Sequence, residues 1–332
     1  MDKNYHLTKM GELKRKENTL IFIPDNSDYS KTHIPIESVN AIYAHEEIRC
    51  NSKVFQLLDE HTVEIHFFSW SDSFVGSYMP TKSTYSGSVV VDQVQAYLDE
   101  QQRKNIARKI VLASIQNMSK TVSYYTDTYD VEETISTLSS LQDSLSTTSV
   151  ESLDIESIMG IEGDSRSVYY DGLSKIIPDE FSFETRSYNP PESDFNALIS
   201  FGNSLLYGVV SSSIQSTALH PTISYLHEPG SRRHSLSLDI ADVFKPVIID
   251  RMILRLVNRR QITPKDFAKD WYLKEEPRKT VLSEFEEVLE ETIDHPTLNR
   301  KVSYQYLITL DVLNLKKHIV TNETYDPFIR WW

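Results

Sequence analysis

The chain is short of cysteine and glycine, and both shortages exclude classes of protein. A single cysteine in 332 residues, Cys50, excludes an intrachain disulfide and a cysteine-based zinc site, and it fits a reducing compartment. Only nine glycines occur, and neither glycine-rich phosphate loop, G-x-x-x-x-G-K-[ST] or G-x-G-x-x-G, is present. The opening residues lack an apolar signal core, and no stretch approaches the run of about 18 apolar residues that spans a membrane. We therefore expect a cytoplasmic protein with no membrane partner.

Basic residues are also in deficit, 34 against 48 acids, and the formal net charge of −14 by itself counts against nucleic-acid binding. The distribution of charge is more informative. Residues 101–126 hold basic residues and no acid, residues 127–165 hold ten acids and no Lys or Arg, and a second basic cluster lies at 232–260. Arg251, Arg255 and Arg259 recur every four residues, which makes a stripe along a helix. That stripe is either a solvated helix face or a row of phosphate contacts.

The periodicity of the apolar residues changes at about residue 90. Before it, aromatic and β-branched segments alternate with polar turns, which predicts a helix near 52–60 and strands at 5–8, 19–24, 33–35, 41–44, 63–68 and 73–78. Helical spacing follows at 92–122, 129–146, 150–177, 193–217, 236–260, 280–294 and 301–317. Asp194 is the expected cap of the helix that begins at Phe195, and residues 135–150 form either a helix or a poorly ordered loop. We predict an α+β protein, with a small β-sandwich-like domain at 1–90 and a larger all-helical catalytic domain at 91–332.

The stretch from His220 to Pro246 carries the strongest indication of chemistry. It places His227 shortly before a helix on which Asp239 and Asp242 share one face. Glu162 lies in another apolar helical segment, where an unpaired acid is costly to bury. One nitrogen and two or more carboxylates form a ligand set that suits Mg²⁺ or Mn²⁺ better than structural zinc. From spacing alone, unrelated polar residues at helix ends remain the alternative.

Several side chains near Glu162 in sequence are candidates for contact with nucleic acid. Arg166 lies four residues after Glu162, and Tyr169 and Tyr170 lie seven and eight after it, on or near the same helical face. They could hold a phosphate or stack on a base, whereas Arg166 could equally form a plain ion pair with Glu162. No G-x-S-x-G elbow and no H-E-x-x-H motif accompanies them, so the sequence offers little for serine or zinc hydrolysis.

Three motifs, the last of them in two segments, together resemble a known family, the CRISPR-associated integrase and endonuclease of spacer acquisition (the Cas-one family). The opening YHLTKMGELKRKENTLIF is similar to the family's LT-x-x-G-x-L-x-R-x-x-N-T start. The segment IEGDSRSVYYDGL resembles its Glu-Gly helix. The segments DFNALISFGNSLLYGVV and LHPTISYLHEPGSRRHSLSLDIADVFKP resemble the region that contributes its His and Asp ligands. The resemblance runs in order over nearly the whole chain.

The resemblance implies a catalytic centre in the helical domain. Glu162, His227 and Asp242 match the metal ligands for Mg²⁺ or Mn²⁺, and Asp239 matches a nearby supporting acid of the catalytic set. The implied activity is attack of a DNA 3′-OH on a phosphodiester of the repeat array, with DNA nicking as a related reaction. We expect DNA contacts from a larger set of basic and aromatic residues: Arg166, Tyr169, Tyr170, Arg232, Arg233, Arg251 and Arg255.

The resemblance also implies partners. The N-terminal domain would mediate a homodimer, and two dimers would join a small adaptation partner, Cas-two, in a heterohexamer that binds short DNA duplexes, the repeat array and branched DNA. The alternatives are a structure-selective nuclease without an integration role and a non-catalytic DNA-binding scaffold. We further expect Asp242→Ala to abolish catalysis yet largely spare folding, because relief of carboxylate repulsion offsets the lost metal.

Overall fold

A computed structural model describes residues 3–69, 73–81, 86–181, 183, 186–187, 191–229 and 234–331. The chain divides into two compact units, residues 1–85 and 86–332. The division falls before the predicted boundary after residue 90, because the first helix of the second unit already begins at Gly87. Strands in sheets precede a mostly helical region, so the predicted α+β class is confirmed.

The described residues of the N-terminal unit form two four-stranded sheets and one α-helix. Its elements in chain order are β1 (Lys3–Leu7), β2 (Gly11–Lys16), β3 (Thr19–Pro24), β4 (Thr32–Pro35), β5 (Val39–Ala44), β6 (Ile48–Arg49), α1 (Ser52–His61), β7 (Glu64–Phe68) and β8 (Phe74–Tyr78). The strand orders are β1-β5-β7-β8 and β4-β3-β2-β6. Both sheets and α1 bury apolar side chains in one core, among them Leu7, Leu13, Leu20, Leu57 and Ile65. This shared core is the predicted sandwich-like arrangement.

Strand β2 was missing from the sequence prediction. Its residues GELKRK are mostly charged, so only Gly11 and Leu13 are buried and the alternation of apolar residues is weak. The antiparallel pairing with β3, joined by a two-residue turn at Glu17 and Asn18, overrides this composition. A side chain at Gly11 would meet the Ile23 carbonyl at 2.5 Å, so the close approach of the two strands requires glycine here.

The second unit is built from nine helices within its described residues and a short hairpin. In chain order they are α2 (Gly87–Leu98), α3 (Glu100–Ser123), α4 (Glu132–Thr147), α5 (Ile155–Ile176), α6 (Asp194–Ser216), α7 (Ser235–Lys245), α8 (Arg251–Asn258), α9 (Glu275–Glu290), β9 (Thr292–Asp294), β10 (Lys301–Ser303) and α10 (Tyr304–Thr321). A π-helical turn, Pro246–Asp250, joins α7 to α8. The long helix α3 packs against α4, α5 and α7, and so determines where the last two meet.

Four boundaries in this unit differ from the predictions. The expected helix at 280–294 ends at Glu290 and gives way to β9, and the one expected at 301 begins only at Tyr304, so the unit is not entirely helical. The long pattern at 92–122 breaks at Asp99, whose side chain caps α3 by accepting from the Gln102 amide. Ser193, not Asp194, caps α6, because its hydroxyl accepts from the Asn196 amide. Residues 135–150 are largely helical, within α4.

Helix α6 is the one described helix long and apolar enough to cross a membrane by length and composition. Its most apolar window is 78% buried within the protein, and a core helix meets the same test.

The irregular tail after α10 packs on the body of the second unit, where Tyr325 and Phe328 are buried. Asp311 on α10 holds it, since one carboxylate oxygen accepts from the Phe328 amide at 2.7 Å and the other from the Tyr325 hydroxyl at 3.0 Å. The Phe328 ring then stacks on Phe244 of α7, with ring centroids 4.9 Å apart. Burial raises the pKa of Asp311 to about 7, although both hydrogen bonds oppose the rise.

This carboxyl predicts a pH dependence of stability. A folded-state pKa above the ordinary value of 3.8 means that the folded protein holds a proton that the unfolded chain releases. The stability that the protonated Asp311 carboxyl gives to the folded protein is therefore complete below about pH 4, and it is lost as the pH rises toward 7. Asp311→Asn, which stays neutral, should gain stability relative to wild type between pH 5 and pH 8 in urea unfolding. Parallel pH profiles for the two proteins would contradict this, and Asp326→Asn, an exposed tail acid, is the matched control.

Candidate metal centre

Helix α5 presents Glu162 and Arg166 one turn apart on the same face. The helix starts at a strong cap, because the Asp154 side chain accepts from the Ser157 amide at 2.7 Å. The Arg166 Nε donates to Glu162 Oε1, so the plain ion pair allowed by the sequence is present. The same guanidinium also reaches another element, with Nη2 2.7 Å from Asp242 Oδ1 on α7. Both side chains are mostly buried, at 16% exposure for Arg166 and 17% for Glu162.

Asp242 is fixed through its backbone as well as its side chain. Pro246 has no N–H, so the Asp242 carbonyl lacks the donor that a regular helix would supply four residues later. The Ser114 hydroxyl of α3 donates to that carbonyl at 2.9 Å. Asn117 and Thr121, further along α3, donate to the Val243 and Pro246 carbonyls in the same way. Polar side chains of α3 thus donate to backbone carbonyls of α7 and the following turn, near the point where Pro246 removes a backbone donor. These hydrogen bonds let α3 position Asp242.

His227 is held by Asp239. One carboxylate oxygen of Asp239 accepts from the amides of Tyr225 and Leu226, at 2.7 and 3.0 Å, and the other accepts from the His227 amide at 3.0 Å. The second oxygen also lies 2.8 Å from His227 Nδ1. An ionised carboxylate only accepts, so Nδ1 carries the proton and the neutral ring keeps the lone pair on Nε2 for a ligand. Burial alone would lower the pKa of His227, but Asp239 and Asp242 outweigh it and raise this pKa.

Lys245 is a second cation in the centre, and it pairs with Asp242. Its Nζ lies 2.6 Å from Asp242 Oδ1, so Lys245 and Arg166 share one carboxylate oxygen. Burial by itself would raise the pKa of Asp242, but these two cations lower it to about 2. Burial by itself would lower the pKa values of Arg166 and Lys245, and it is the largest single effect on each. The combined attraction of the neighbouring acidic groups, Asp242 first among them, outweighs burial and raises both pKa values. Sequence analysis missed Lys245, although its position three residues after Asp242 on a helix could have indicated the pair.

The donor set fits a hard divalent cation in its chemistry. Glu162 and Asp242 each engage one oxygen with Arg166, and His227 is oriented by a carboxylate in the manner of many metal-bound histidines. Within the described part of the chain, however, no three His, Cys, Asp or Glu side chains converge closely enough to hold a metal ion. The guanidinium of Arg166 stands between the two carboxylates, which accounts for the open arrangement.

Tyr169 and Tyr170 do not have the surface position that stacking on DNA requires. Tyr169 is fully buried and Tyr170 is 6% exposed in this structure, and their contact with DNA stays a prediction. The Tyr169 hydroxyl donates to Asp250 Oδ2 at 3.0 Å, and both groups interact electrostatically with Arg166. Burial raises the pKa of Asp250 to about 6, against the lowering effect of that hydrogen bond. The helical spacing correctly placed the tyrosines beside the centre, but their side of α5 faces the core.

The arginine stripe on α8 borders a cavity of about 300 Å³. Arg251, Arg255 and Arg259 line it together with Tyr124 and Tyr125 of the α3 end. Arg251 donates to the Tyr304 hydroxyl at 3.2 Å, and Arg255 pairs with Glu284. The first two arginines are therefore half-buried, and the stripe is not simply a solvated helix face. Arg232 and Arg233, the other predicted DNA contacts, lie outside the described residues.

The fold and the centre together define a class of protein: a β-sandwich-like unit followed by a mostly helical unit. The second unit brings together carboxylates and two cations from α5 and α7, with a histidine from the segment before α7. The family model for CRISPR associated protein Cas1 matches residues 5–287. The chain belongs to this family, as its motifs indicated.

Relatives of known family match the chain from end to end. The CRISPR-associated endonuclease Cas1 of Haloferax volcanii is 44% identical over 333 residues, which cover 99% of both chains. The solved structure of a CAS1 protein from Thermotoga maritima is 34% identical, covers 97% of this chain and 98% of its own, and has a TM-score of 0.84. A casposase bound to an integration product shares the fold, with a TM-score of 0.84 at 18% identity over 99% of this chain and 93% of its own.

Proposed function

We propose that this protein is a metal-dependent DNA integrase and endonuclease of CRISPR adaptation. It would join short DNA duplexes to a repeat array by attack of a DNA 3′-OH on a phosphodiester, and would nick DNA when water attacks instead. Membership of the Cas1 family, whose Haloferax relative is named an endonuclease, supports the nuclease part. The observation that carries the proposal is the bridging of Glu162 and Asp242 by Arg166, with His227 close enough to Asp242 to lower the pKa of that carboxyl.

Glu162, His227 and Asp242 would hold Mg²⁺ or Mn²⁺. The bound cation would polarise the scissile phosphate and stabilise charge on the leaving oxygen. Asp239 keeps Nε2 of His227 available, and Ser114 keeps the Asp242 backbone in place. No side chain has to act as a covalent nucleophile, because the attacking oxygen comes from DNA or from water.

The proposal extends to DNA and protein partners. Arg251 and Arg255 border the α8 cavity and would contact phosphates, as would Arg232 and Arg233. The N-terminal unit would form the homodimer, and two dimers would assemble with Cas-two in the cytoplasm into a heterohexamer on short duplexes, repeat arrays or branched DNA. The formal net charge of the chain is −14, so acids outside the basic segments would repel DNA, and we expect DNA binding to depend on the partner.

A strand-transfer assay tests the reaction. A short labelled duplex and a supercoiled plasmid carrying a repeat are incubated with the protein and Mg²⁺, Mn²⁺ or EDTA, with and without Cas-two. We expect joined product with either cation and none with EDTA, because Arg166 and Lys245 are already paired with the carboxylates of the centre and a divalent cation is needed to stabilise charge on the leaving oxygen.

Each other outcome supports a different function. Metal-dependent nicking without joining would support the structure-selective nuclease. DNA binding without any metal-dependent chemistry would support the scaffold, and joining that persists in EDTA would contradict the metal-dependent mechanism.

A further inference from the structure

Arg166 is the residue through which the centre is held together in this structure. Its Nε donates to Glu162 Oε1, and its Nη2 lies 2.7 Å from Asp242 Oδ1. These two nitrogens form one edge of the guanidinium. The guanidinium therefore bridges two carboxylates from different helices, through a hydrogen bond to Glu162 and an ion-pair contact with Asp242. Two acids that would otherwise repel each other are kept side by side by this one cation.

A divalent cation that binds the same carboxylates is repelled by the positive charge of Arg166. Lys245, 2.6 Å from Asp242 Oδ1, adds a second positive group. Like charges a few ångströms apart in a mostly buried site repel strongly, because little water screens them. With Arg166 paired to both carboxylates, no three His, Cys, Asp or Glu side chains of the described residues converge into a closed ligand set. Metal binding to Glu162 and Asp242 therefore competes with Arg166.

A phosphate offers Arg166 another partner. Guanidinium groups bind phosphate with the same planar arrangement of N–H donors that they use for carboxylates. Arg166 therefore stays paired when it exchanges its carboxylate partners for a phosphate. A phosphodiester entering the centre can thus take Arg166 while the metal takes the carboxylates. Metal binding to the carboxylates frees Arg166 for the phosphate, and phosphate binding to Arg166 frees the carboxylates for the metal.

We propose that Arg166 is an exchangeable counter-ion of this centre: it pairs with Glu162 and Asp242 until a divalent cation takes the carboxylates and a DNA phosphate takes the guanidinium. Metal and DNA then bind cooperatively, and the metal-free, DNA-free protein keeps its acids neutralised. Arg166 is a positioning residue in this scheme. The inference rests on the proposed function, since both ligands belong to it.

The first test measures Mn²⁺ binding without DNA, from the electron paramagnetic resonance signal of free Mn²⁺. Arg166→Gln removes the competing charge, so its Kd for Mn²⁺ should fall roughly tenfold below that of wild type. Arg166→Lys keeps the charge but not the planar guanidinium, so its Kd for Mn²⁺ should lie between those of wild type and Arg166→Gln. Arg108→Gln, which removes a half-buried arginine bound to the Leu145 and Ser146 carbonyls, should match wild type.

The second test measures the coupling. The Kd of a short labelled duplex is determined by fluorescence anisotropy without and with saturating Mn²⁺ at constant ionic strength. Mn²⁺ should strengthen duplex binding by wild type and by Arg108→Gln roughly fivefold or more, since coupling between two ligands is reciprocal. In Arg166→Gln the strengthening should be largely lost.

The outcomes separate this inference from the function on which it rests. Unchanged or weaker Mn²⁺ binding by Arg166→Gln would overturn the exchange and leave Arg166 as a structural ion pair. If wild type and Arg166→Gln both failed to bind Mn²⁺, the metal centre itself would be refuted. Thermal unfolding identifies a variant that does not fold; in that event Arg166→Lys decides, and Mn²⁺ affinity equal to or weaker than wild type there overturns the inference.

Discussion

Asp242→Asn is expected to reduce metal-dependent strand transfer about a thousandfold or more, because the loss of a charged ligand removes several kcal/mol of stabilisation from the transition state. The amide keeps the shape of the side chain but not its charge. Joined product and nicked plasmid are measured over time with Mg²⁺ and Mn²⁺. Asp171→Asn, an exposed aspartate on the same helix as Glu162, is the control and should retain wild-type rates.

The structure changes the expectation for the stability of Asp242 variants. The sequence suggested that Asp242→Ala would largely spare folding, through relief of repulsion between acids. Asp242 is instead the shared partner of Arg166 and Lys245, whose side chains are 16% and 10% exposed. Its removal leaves two mostly buried cations without this anion, which costs about 3–5 kcal/mol. We expect urea unfolding to show a clear loss of stability in Asp242→Ala and a smaller one in Asp242→Asn; wild-type stability in both would contradict the ion-pair arrangement.

Asp239→Asn is expected to lower strand transfer about 10- to 100-fold, although Asp239 is not itself among the expected metal ligands. The carboxylate accepts from three consecutive amides and from the His227 ring. An asparagine turns one of the two acceptors into a donor that faces other donors. His227 then loses its fixed orientation, and the buried amides left without an acceptor cost about 3 kcal/mol.

Hydrogen exchange separates this role from a general loss of folding. The amides of Tyr225, Leu226 and His227 should lose protection in Asp239→Asn, while those of α3 keep theirs. Glu228→Gln is the matched control, since this acid ends the same loop but is exposed and pairs with Arg103. Retained protection of the three amides, together with retained activity, would show that Asp239 does not hold His227.

Much of the helical architecture follows from local patterns. Spacing of apolar residues predicted helices at the positions of α3 to α10, because a helix that buries one face must repeat its apolar residues at 3.6-residue intervals. The same reasoning missed β2, whose charged residues pair as a strand only because β3 lies beside it. It also extended α9 into β9, since a three-residue hairpin strand leaves too short a pattern to recognise.

The sequence by itself determined which chemistry is available. It supplied the acids, the histidine, the proline at 246 and the motifs of the family, and these residue types suit a hard divalent cation. Only the tertiary structure decided which groups meet. Arg166 and Asp242 lie far apart in the chain and pair because α3 packs against both of their helices. Tyr169 is spaced like a site residue yet faces the core. Helical periodicity is a short-range property: it tells which residues share a face, whereas packing over long distances decides what that face touches.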